Sequence, residues 1–286
     1  MNSPNDWTFE HLPLPALLWP SRWAEVAPRP NAAFVRAFGP DLPLAGRPDL
    51  THLPDGAHVR RLGRGGTAWD TDARVCRLHF GTRPDGSRLA LVLDLQAEYQ
   101  DPLTGLEDRR ALALDAASAP VGTLALLDVD GFKEVNDTLG HEAGDAALCA
   151  LAKLLAAAAP GWGARAYRLG GDEFVVCAPG RLGAGELGRV QAQFARHLAA
   201  QVPGPRPRGA APRSFSYGLA AAPEDGCTLS ELLRSADARL AGVKKRRRGT
   251  QAAQVARAQE QPAARPAEGP ALLWPALTWL PLRKNA

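Results

Sequence analysis

One short segment, Gly170-Gly171-Asp172-Glu173-Phe174, constrains the fold of this chain more than any other feature. The apolar residues on both sides of the glycine pair are typical of two antiparallel strands joined by a tight turn. Two acidic residues follow the turn, and adjacent residues of a strand point to opposite faces of the sheet. Open backbone N–H groups at such a turn, beside a carboxylate, suit a polyphosphate that carries a metal ion. An acidic hairpin without a ligand would have the same sequence, so this segment alone leaves both interpretations open.

A second acidic segment lies upstream of this hairpin. Residues 121–130 (VGTLALLDVD) are almost continuously apolar, which predicts a buried strand that ends in carboxylates. Asp128 and Asp130 are two residues apart and therefore share one face of that strand. Because Mg²⁺ is usually held by one or two carboxylates together with substrate phosphates, we expect Asp128 and the hairpin acids to form a magnesium site. The alternative is a turn at the strand end followed by a helix cap.

Together these segments resemble the GGDEF domain of diguanylate cyclases. The resemblance rests on residues 128–145 (DVDGFKEVNDTLGHEAGD), with DPLTGL at residues 101–106 before them and the GGDEF run after them. It extends from about Asp101 to Arg248. It implies an α/β (α+β) palm-like domain with a central, mainly antiparallel sheet flanked by helices. The implied activity is the condensation of two GTP into cyclic di-GMP and two pyrophosphates, with Mg²⁺ or Mn²⁺ as the cofactor.

The resemblance assigns catalytic and metal-binding roles to four residues. Asp128 and Asp172 match the metal-binding carboxylates, and the backbone carbonyl of Val129 matches a further ligand. Glu173 matches the acid that orients the metal and activates the attacking 3′-hydroxyl. The implied catalytic set is therefore Asp128, Asp172 and Glu173.

The resemblance also implies a GTP-binding set. Its members are Lys133, Asn136, Asp145, Leu148, Gly170, Gly171, Lys244 and Arg248. Lys133 matches a phosphate contact, and an ammonium is an effective point charge against phosphate. Asn136 and Asp145 match the residues that read the guanine edge, because an amide and a carboxylate offer acceptors for N1–H and the 2-amino group and a donor for O6. Leu148 is expected to pack on the base, and the two glycines leave room for the nucleotide.

The final helix is predicted to close the site. It begins with a capping box at Thr228 and Glu231. Lys244 and Arg248 lie on one helix face, and the resemblance assigns both to the triphosphate. A basic helix end favoured by the helix dipole, or a nucleic-acid patch, would give the same KKRRR run. We interpret the three remaining cations, residues 245–247, as surface residues.

The chain departs from the family pattern at residues 161–164 (GWGA). Many family members carry Arg-x-x-Asp there, which forms an inhibitory site for the product. Both charged residues are missing, so we predict no product inhibition through that site. Arg168 is retained, and we expect it to pair with Asp101.

The N-terminal region resembles the opening and the end of a PAS domain. Residues 12–19 (LPLPALLW) and 30–39 (PNAAFVRAFG) match a short strand followed by an Asn-x-x-Phe helix start. Residues 75–80 and 88–95 are largely apolar and flank an Asp-Gly turn, which predicts a hairpin.

These patterns predict four segments. Residues 1–95 form a small PAS-like α+β domain for sensing or dimerisation, and residues 96–101 form a helical linker. Residues 102–249 form the cyclase domain, and residues 250–286 form a disordered tail rich in Ala, Gln, Pro and Arg. One cyclase domain supplies a single GTP site, so the reaction requires a homodimer. The alternative function is a catalytically silent module that acts as a receptor for GTP or a cyclic dinucleotide, or as a dimerisation scaffold.

Composition favours a cytoplasmic protein. None of the four cysteines forms a CxxC pair, the first residues lack the pattern of a signal peptide, and no apolar run is long enough to predict a membrane span. Residues 242–286 carry nine Lys or Arg against two Glu, whereas the whole chain has a formal net charge of +4, so the rest is net acidic. The basic helix end and tail lack interleaved aromatic residues and any recognisable nucleic-acid-binding module, so we expect no nucleic-acid partner. The apolar end of the tail could dock on the body, a partner or a membrane surface.

Overall fold

The computed structural model describes residues 9–19, 28–39, 53–62, 69, 73–201 and 214–260. These residues form two five-stranded sheets, the first within residues 16–94 and the second within residues 107–221. The tail beyond residue 260, with its predicted docking segment, lies outside the described residues.

The N-terminal sheet is antiparallel and has the strand order β2-β1-β5-β4-β3. Its strands are β1 (Ala16–Trp19), β2 (Arg29–Pro30), β3 (Gly56–Leu62), β4 (Arg74–Thr82) and β5 (Arg88–Asp94). Strands β4 and β5 form the hairpin predicted around the Asp-Gly turn, with Thr82 opposite Arg88. The helix α1 (Ala32–Phe38) covers the sheet through the buried Phe34.

Asn31 fixes the start of α1 against β1. It is fully buried, and its Oδ1 accepts hydrogen bonds from the backbone N–H of Phe34 (2.8 Å) and of Ala16 (3.0 Å). Its Nδ2 donates to the carbonyl oxygen of Leu14 at 2.9 Å. The side chain thus caps the helix and joins it to the first strand, which is the local structure that the Asn-x-x-Phe pattern predicted.

The second sheet has the order β10-β7-β9-β8-β6 and is antiparallel except for the pairing of β6 with β8. Its strands are β6 (Glu107–Asp108), β7 (Thr123–Val129), β8 (Arg165–Gly170), β9 (Glu173–Ala178) and β10 (Phe215–Ala221). Its helices are α2 (Arg109–Ser118), α3 (Phe132–Leu139), α4 (His141–Ala158), α5 (Ala184–Gln201) and α6 (Leu229–Glu260). The predicted fold class, a mainly antiparallel sheet flanked by helices, is confirmed.

Alternation along β7 separates two cores. Ala125, Leu127 and Val129 pack towards α4 and α5, whereas Leu124 and Leu126 pack towards α2 and α6. Asp128 continues the second set and therefore faces α6. By length and composition, His141–Trp162, which is α4 with its 3-10 extension, could cross a membrane. Its apolar residues form the first core, which accounts for that composition.

Helix α6 lies close against β10. A Cβ at Gly218 would overlap the carbonyl oxygen of Ala236, so only glycine allows this approach. The capping box predicted at the start of α6 is confirmed: Thr228 Oγ1 accepts from the N–H of Glu231 (3.3 Å), and Glu231 Oε2 accepts from the N–H of Thr228 (3.0 Å).

Part of the predicted disordered tail is helical in the structure. Residues 250–260, which the composition assigned to a disordered tail, continue α6 to Glu260. Apart from Gly249 and Thr250, the sequence around this point is rich in Ala, Gln and Arg, which are good helix formers and carry the helix past the boundary. The predicted helical linker at 96–101 contains a 3-10 helix at Gln96–Tyr99.

A buried ionic cluster joins the two sheets. Arg61 on β3 donates to both oxygens of Glu107 on β6, with Nη2–Oε2 at 2.6 Å and Nη1–Oε1 at 2.7 Å. It also donates from Nη2 to Asp115 Oδ2 on α2 at 2.8 Å. Arg165 Nη1 reaches Glu107 Oε2 at 3.1 Å, and Tyr167 donates its hydroxyl to Asp115 at 2.5 Å. Because the Arg61 side chain is only 2 % exposed, this contact holds the N-terminal unit firmly against the outer edge of the second sheet.

Candidate active site

Strand register places the predicted carboxylates together. Asp128 on β7 lies directly opposite Glu173 on β9, so both side chains point to the face covered by α6. Asp172 occupies the turn before β9, and its carbonyl oxygen accepts a hydrogen bond from the N–H of Val129 at 3.3 Å. The predicted strand and the predicted Gly-Gly hairpin, which is formed by β8 and β9, are both confirmed.

The acids raise each other's proton affinity. Burial raises the pKa of Asp128, and the charges of Asp172 and Asp130 raise it further, while Lys244 opposes them. Burial also raises the pKa of Glu173, and the neighbouring Asp128, Asp172 and Asp237 add to the effect. A centre in which carboxylates repel one another is stabilised by a cation.

Lys244 of α6 already supplies one positive charge. Its Nζ lies 2.6 Å from Asp128 Oδ2, although both side chains remain partly exposed. Within the described residues, no three His, Cys, Asp or Glu side chains converge as a complete metal site. Mg²⁺ does not require such a cage, because it takes one or two carboxylates and fills its remaining positions with water and phosphate. The partly exposed carboxylates of Asp128 and Asp172 therefore fit this ion, and the ligand role of the Val129 carbonyl stays a prediction.

The residues predicted to read the base lie on α3 and α4, the helix pair that follows β7. Lys133, the predicted phosphate contact, is exposed in the first turn of α3, and Asp145 is exposed in the second turn of α4. The Oδ1 of Asn136 is buried and has no hydrogen-bond partner in the structure. Leu148 is only 2 % exposed and belongs to the domain core, so only a small part of its side chain is accessible to a base.

Gly144 packs directly beneath Asn136. A Cβ at this position would overlap Asn136 Oδ1 and would approach Phe132 Cε2 to 3.2 Å. The glycine therefore sets the position of the Asn136 amide, although the sequence pattern drew attention only to its neighbour Asp145.

The glycine hairpin is linked to the start of the domain. Gly170 and Gly171 have φ of 141° and 54°, values that side-chain-bearing residues rarely adopt. Arg168 donates from Nη2 to the carbonyl oxygen of Gly171 and from Nη1 to Asp101 Oδ1, both at 2.7 Å. The predicted Asp101–Arg168 pair is thus confirmed. Burial opposes ionisation of Asp101, but hydrogen bonds from Thr104 and Arg168 outweigh it and lower the pKa of this carboxyl.

The interpretation of Arg247 as a surface residue is wrong. Its Nη1 pairs with Asp130 Oδ2 and lies 3.0 Å from Ser216 Oγ, which in turn donates to Asp130 Oδ1 at 2.6 Å. Arg248 is exposed, and its role in triphosphate binding stays a prediction. The basic run gave no means of telling which cation faces the sheet, since Arg247 and Asp130 are 117 residues apart.

Comparisons with known proteins identify a family for the second half of the chain. The family model described as "Diguanylate cyclase, GGDEF domain" matches residues 98–250. An uncharacterized signaling protein of Caulobacter vibrioides is 34 % identical over 258 residues, which cover 77 % of this chain and 31 % of that protein. Diguanylate cyclase DgcN of Escherichia coli is 43 % identical over 89 residues, or 29 % of this chain and 22 % of DgcN. The chain thus spans less than a third of the length of either relative.

Solved structures include GGDEF domains as well. A sensory box/GGDEF family protein from Caulobacter crescentus matches with 34 % identity and a TM-score of 0.39, covering 51 % of this chain and 98 % of that one. The coiled coil and GGDEF domain of DgcB from the same organism, solved in complex with c-di-GMP, matches with 28 % identity and a TM-score of 0.40. That match covers 52 % of this chain and 82 % of the DgcB chain.

Proposed function

This chain belongs to the GGDEF family, and from that premise we propose that it is an active diguanylate cyclase that condenses two GTP into cyclic di-GMP and two pyrophosphates. The observation that carries the proposal is the pairing of Asp128 with Glu173 beside Asp172, under the cations of α6. A domain that only bound nucleotide would not need this cluster of mutually repelling carboxylates. Diguanylate cyclases of E. coli among the relatives support the same activity.

In this proposal different residues bind the base, the phosphates and the metal, and one residue activates the attacking hydroxyl. Asn136 and Asp145 hold the guanine, and Lys133, Lys244 and Arg248 bind the phosphates. Asp128, Asp172 and the carbonyl of Val129 hold Mg²⁺ or Mn²⁺, which when bound neutralises phosphate charge and polarises the α-phosphate. Glu173 accepts a proton from the attacking 3′-hydroxyl, a role that suits a carboxylate whose pKa lies above its ordinary value. The remaining catalysis is positioning of two large anions.

Ring closure requires two such sites. Each GTP supplies its 3′-hydroxyl to the α-phosphorus of the other, so two cyclase domains have to face one another in a symmetric homodimer. We accordingly expect the specific activity to fall when the protein is diluted below its dimerisation constant. Activity that is proportional to concentration throughout would contradict the dimer.

We assign a regulatory, PAS-like role to the N-terminal unit. The support is its small antiparallel sheet with an Asn-capped helix, and the buried Arg61 contact with Glu107. Glu107 lies on β6, which pairs with β8 next to Arg168 and therefore close to the hairpin. If the unit acts through this edge, Asp101→Ala alters both basal activity and its regulation. Unchanged activity and regulation in that variant would remove the coupling.

The proposal is of a cytoplasmic enzyme without feedback at the missing Arg-x-x-Asp site. Added cyclic di-GMP should not slow the enzyme by binding at residues 161–164, where Gly161 and Ala164 replace the charged residues. Inhibition abolished by substituting these residues would contradict this part of the proposal.

Product analysis tests the central proposal. The purified chain is incubated with Mg²⁺ and either GTP or ATP, and the products are resolved by chromatography, with Asp172→Ala as the control. The proposal expects cyclic dinucleotide and pyrophosphate from GTP with the unaltered protein alone. Tight GTP binding without product would favour the silent receptor instead.

A further inference from the structure

Between residues 241 and 250, the side chains of α6 are half-buried or exposed. Leu240 is 3 % exposed and is the last buried residue up to position 250. Beyond it, among the side chains described for residues 241–250, two ion pairs join the helix to the sheet. These are Lys244–Asp128 and Arg247–Asp130.

These two ion pairs differ in whether their residues have a role in the proposed reaction. Asp128 is a metal ligand in the proposed function, and Lys244 a phosphate ligand, so each partner of their 2.6 Å pair has another ligand to bind. The proposed function assigns no metal-binding or phosphate-binding role to Asp130. It is held at Oδ1 by the hydroxyl of Ser216 and at Oδ2 by Arg247, and Ser216 is 1 % exposed.

We infer that Arg247 is a positioning residue: its contact with Asp130 and Ser216 tethers α6 while Lys244 turns from Asp128 to the triphosphate. The inference rests on the proposed function for its role in GTP binding. Arg247 lies one helical turn from Lys244 and adjacent to Arg248, so the tether fixes the helix segment that carries both cations. Its side chain is 32 % exposed and that of Asp130 is 21 % exposed, so solvent weakens the ion pair only in part.

Arg247→Met tests the tether, with Arg246→Met as its matched control. Both changes remove one positive charge from the same helix, and Arg and Met have similar helix propensities. Arg246 is exposed. The probe is 3′-deoxy-GTP with Mg²⁺, which lacks the attacking hydroxyl and therefore reports binding without turnover. We expect Arg247→Met to weaken this binding roughly fivefold or more relative to Arg246→Met, as loss of a charge-assisted hydrogen bond implies. Binding of GMP, which lacks the outer phosphates, should change much less.

The variant Asp130→Asn distinguishes the tether from an effect of net charge alone. Removing a negative charge near the triphosphate would tighten binding if only the net charge mattered. The tether predicts weaker binding instead, because Asn no longer holds the Arg247 guanidinium by charge. The double variant Arg247→Met/Asp130→Asn should bind no more weakly than the weaker single variant.

Amide hydrogen exchange in the nucleotide-free protein provides a readout that is independent of the reaction. Exchange within residues 241–250 should be several-fold faster in Arg247→Met than in Arg246→Met. Equal exchange in the two variants, or equal affinity for 3′-deoxy-GTP, overturns the inference. If the unaltered chain fails to bind 3′-deoxy-GTP, the proposed function fails and the phosphate-positioning role fails with it. The exchange rates then still decide whether the tether exists.

Discussion

At the scale of single residues, the acidic centre is organised by two paired strands. Asp128 and Glu173 share one face because their positions are opposite in the register, and Asp172 lies in the tight turn before β9. Burial and mutual repulsion raise the pKa of both paired acids. The carboxylates of the site therefore carry negative charge that does not stabilise the fold.

The variant Glu173→Gln tests this separation of activity from stability. The amide keeps the shape of the side chain but cannot accept the proton, so we expect cyclase activity to fall by about 10²-fold or more. Thermal unfolding should occur at the same or a slightly higher temperature, because a repelling charge has been removed. A large loss of thermal stability would contradict the account and assign Glu173 a structural role.

The dependence on pH follows from the same two carboxyls. Their pKa values in the folded protein lie above the ordinary 3.8 for Asp and 4.5 for Glu. Their contribution to stability is therefore present below those ordinary values and is lost as the pH rises through the raised ones. Affinity for the metal–nucleotide complex should change in the opposite direction, since both acids have to be ionised. The unfolding free energy of the unaltered chain minus that of Glu173→Gln should thus fall as the pH rises, whereas 3′-deoxy-GTP binding to the unaltered chain should strengthen; parallel slopes would contradict this assignment.

Gly144 is expected to act on base recognition through Asn136. Gly144→Ala should displace the Asn136 amide and weaken binding of GTP roughly tenfold. Binding of triphosphate alone, which carries no base, should change less. Gly188→Ala is the matched control, because Gly188 also lies within a helix and a Cβ there meets nothing within 4 Å. Placing Gly144→Ala on an Asn136→Ala background should cost nothing further. An additional loss there would show that the glycine acts by another route.

At the scale of elements, the position of α6 depends on its close approach to β10. Gly218→Ala would place a Cβ against the backbone of Ala236, which cannot move without shifting the helix. We expect a loss of about 2 kcal/mol in unfolding free energy, typical of overpacking, together with reduced GTP affinity. Gly81→Ala in β4, where a Cβ meets no atom within 4 Å, should be neutral or slightly stabilising. Equal stability of the two variants in denaturant titrations would contradict this packing.

The sequence predicted elements well where the pattern was local. The apolar run of β7, the glycine turn between β8 and β9 and the capping box of α6 each depend on neighbouring residues alone. The prediction of disorder from composition was wrong for residues 250–260. The same Ala and Gln residues that suggest disorder also favour a helix when an existing helix extends into them. A helix that is already nucleated needs little further stabilisation to continue.

At the scale of the whole molecule, the buried Arg61 cluster determines how the two units meet. The sequence could not reveal it, since Arg61 and Asp115 are 54 residues apart and neither lies in a recognisable motif. Arg247 escaped prediction for the same reason. Residues whose partners are chosen by tertiary contact give no local signal, whereas the carboxylates of the site lie in a motif that does.

Arg61→Met should destabilise the protein by about 3–5 kcal/mol, because Asp115 would remain buried with only the Tyr167 hydroxyl as a partner and Glu107 would keep only Arg165 as a cation. Arg74→Met on the neighbouring strand breaks an exposed pair with Asp94 and should cost no more than about 1 kcal/mol. Chemical denaturation of both variants measures the difference. If the two variants are equally stable, the Arg61 cluster does not hold the units together.

The most direct test of the central claim is the stoichiometry of the reaction. The purified chain is supplied with GTP and Mg²⁺, and pyrophosphate and nucleotide products are quantified together, with Glu173→Gln run in parallel. The account predicts two pyrophosphates for each cyclic di-GMP from the unaltered chain and at most about a hundredth of either product from the variant. GTP hydrolysis without a cyclic product, or equal product from both proteins, would contradict it.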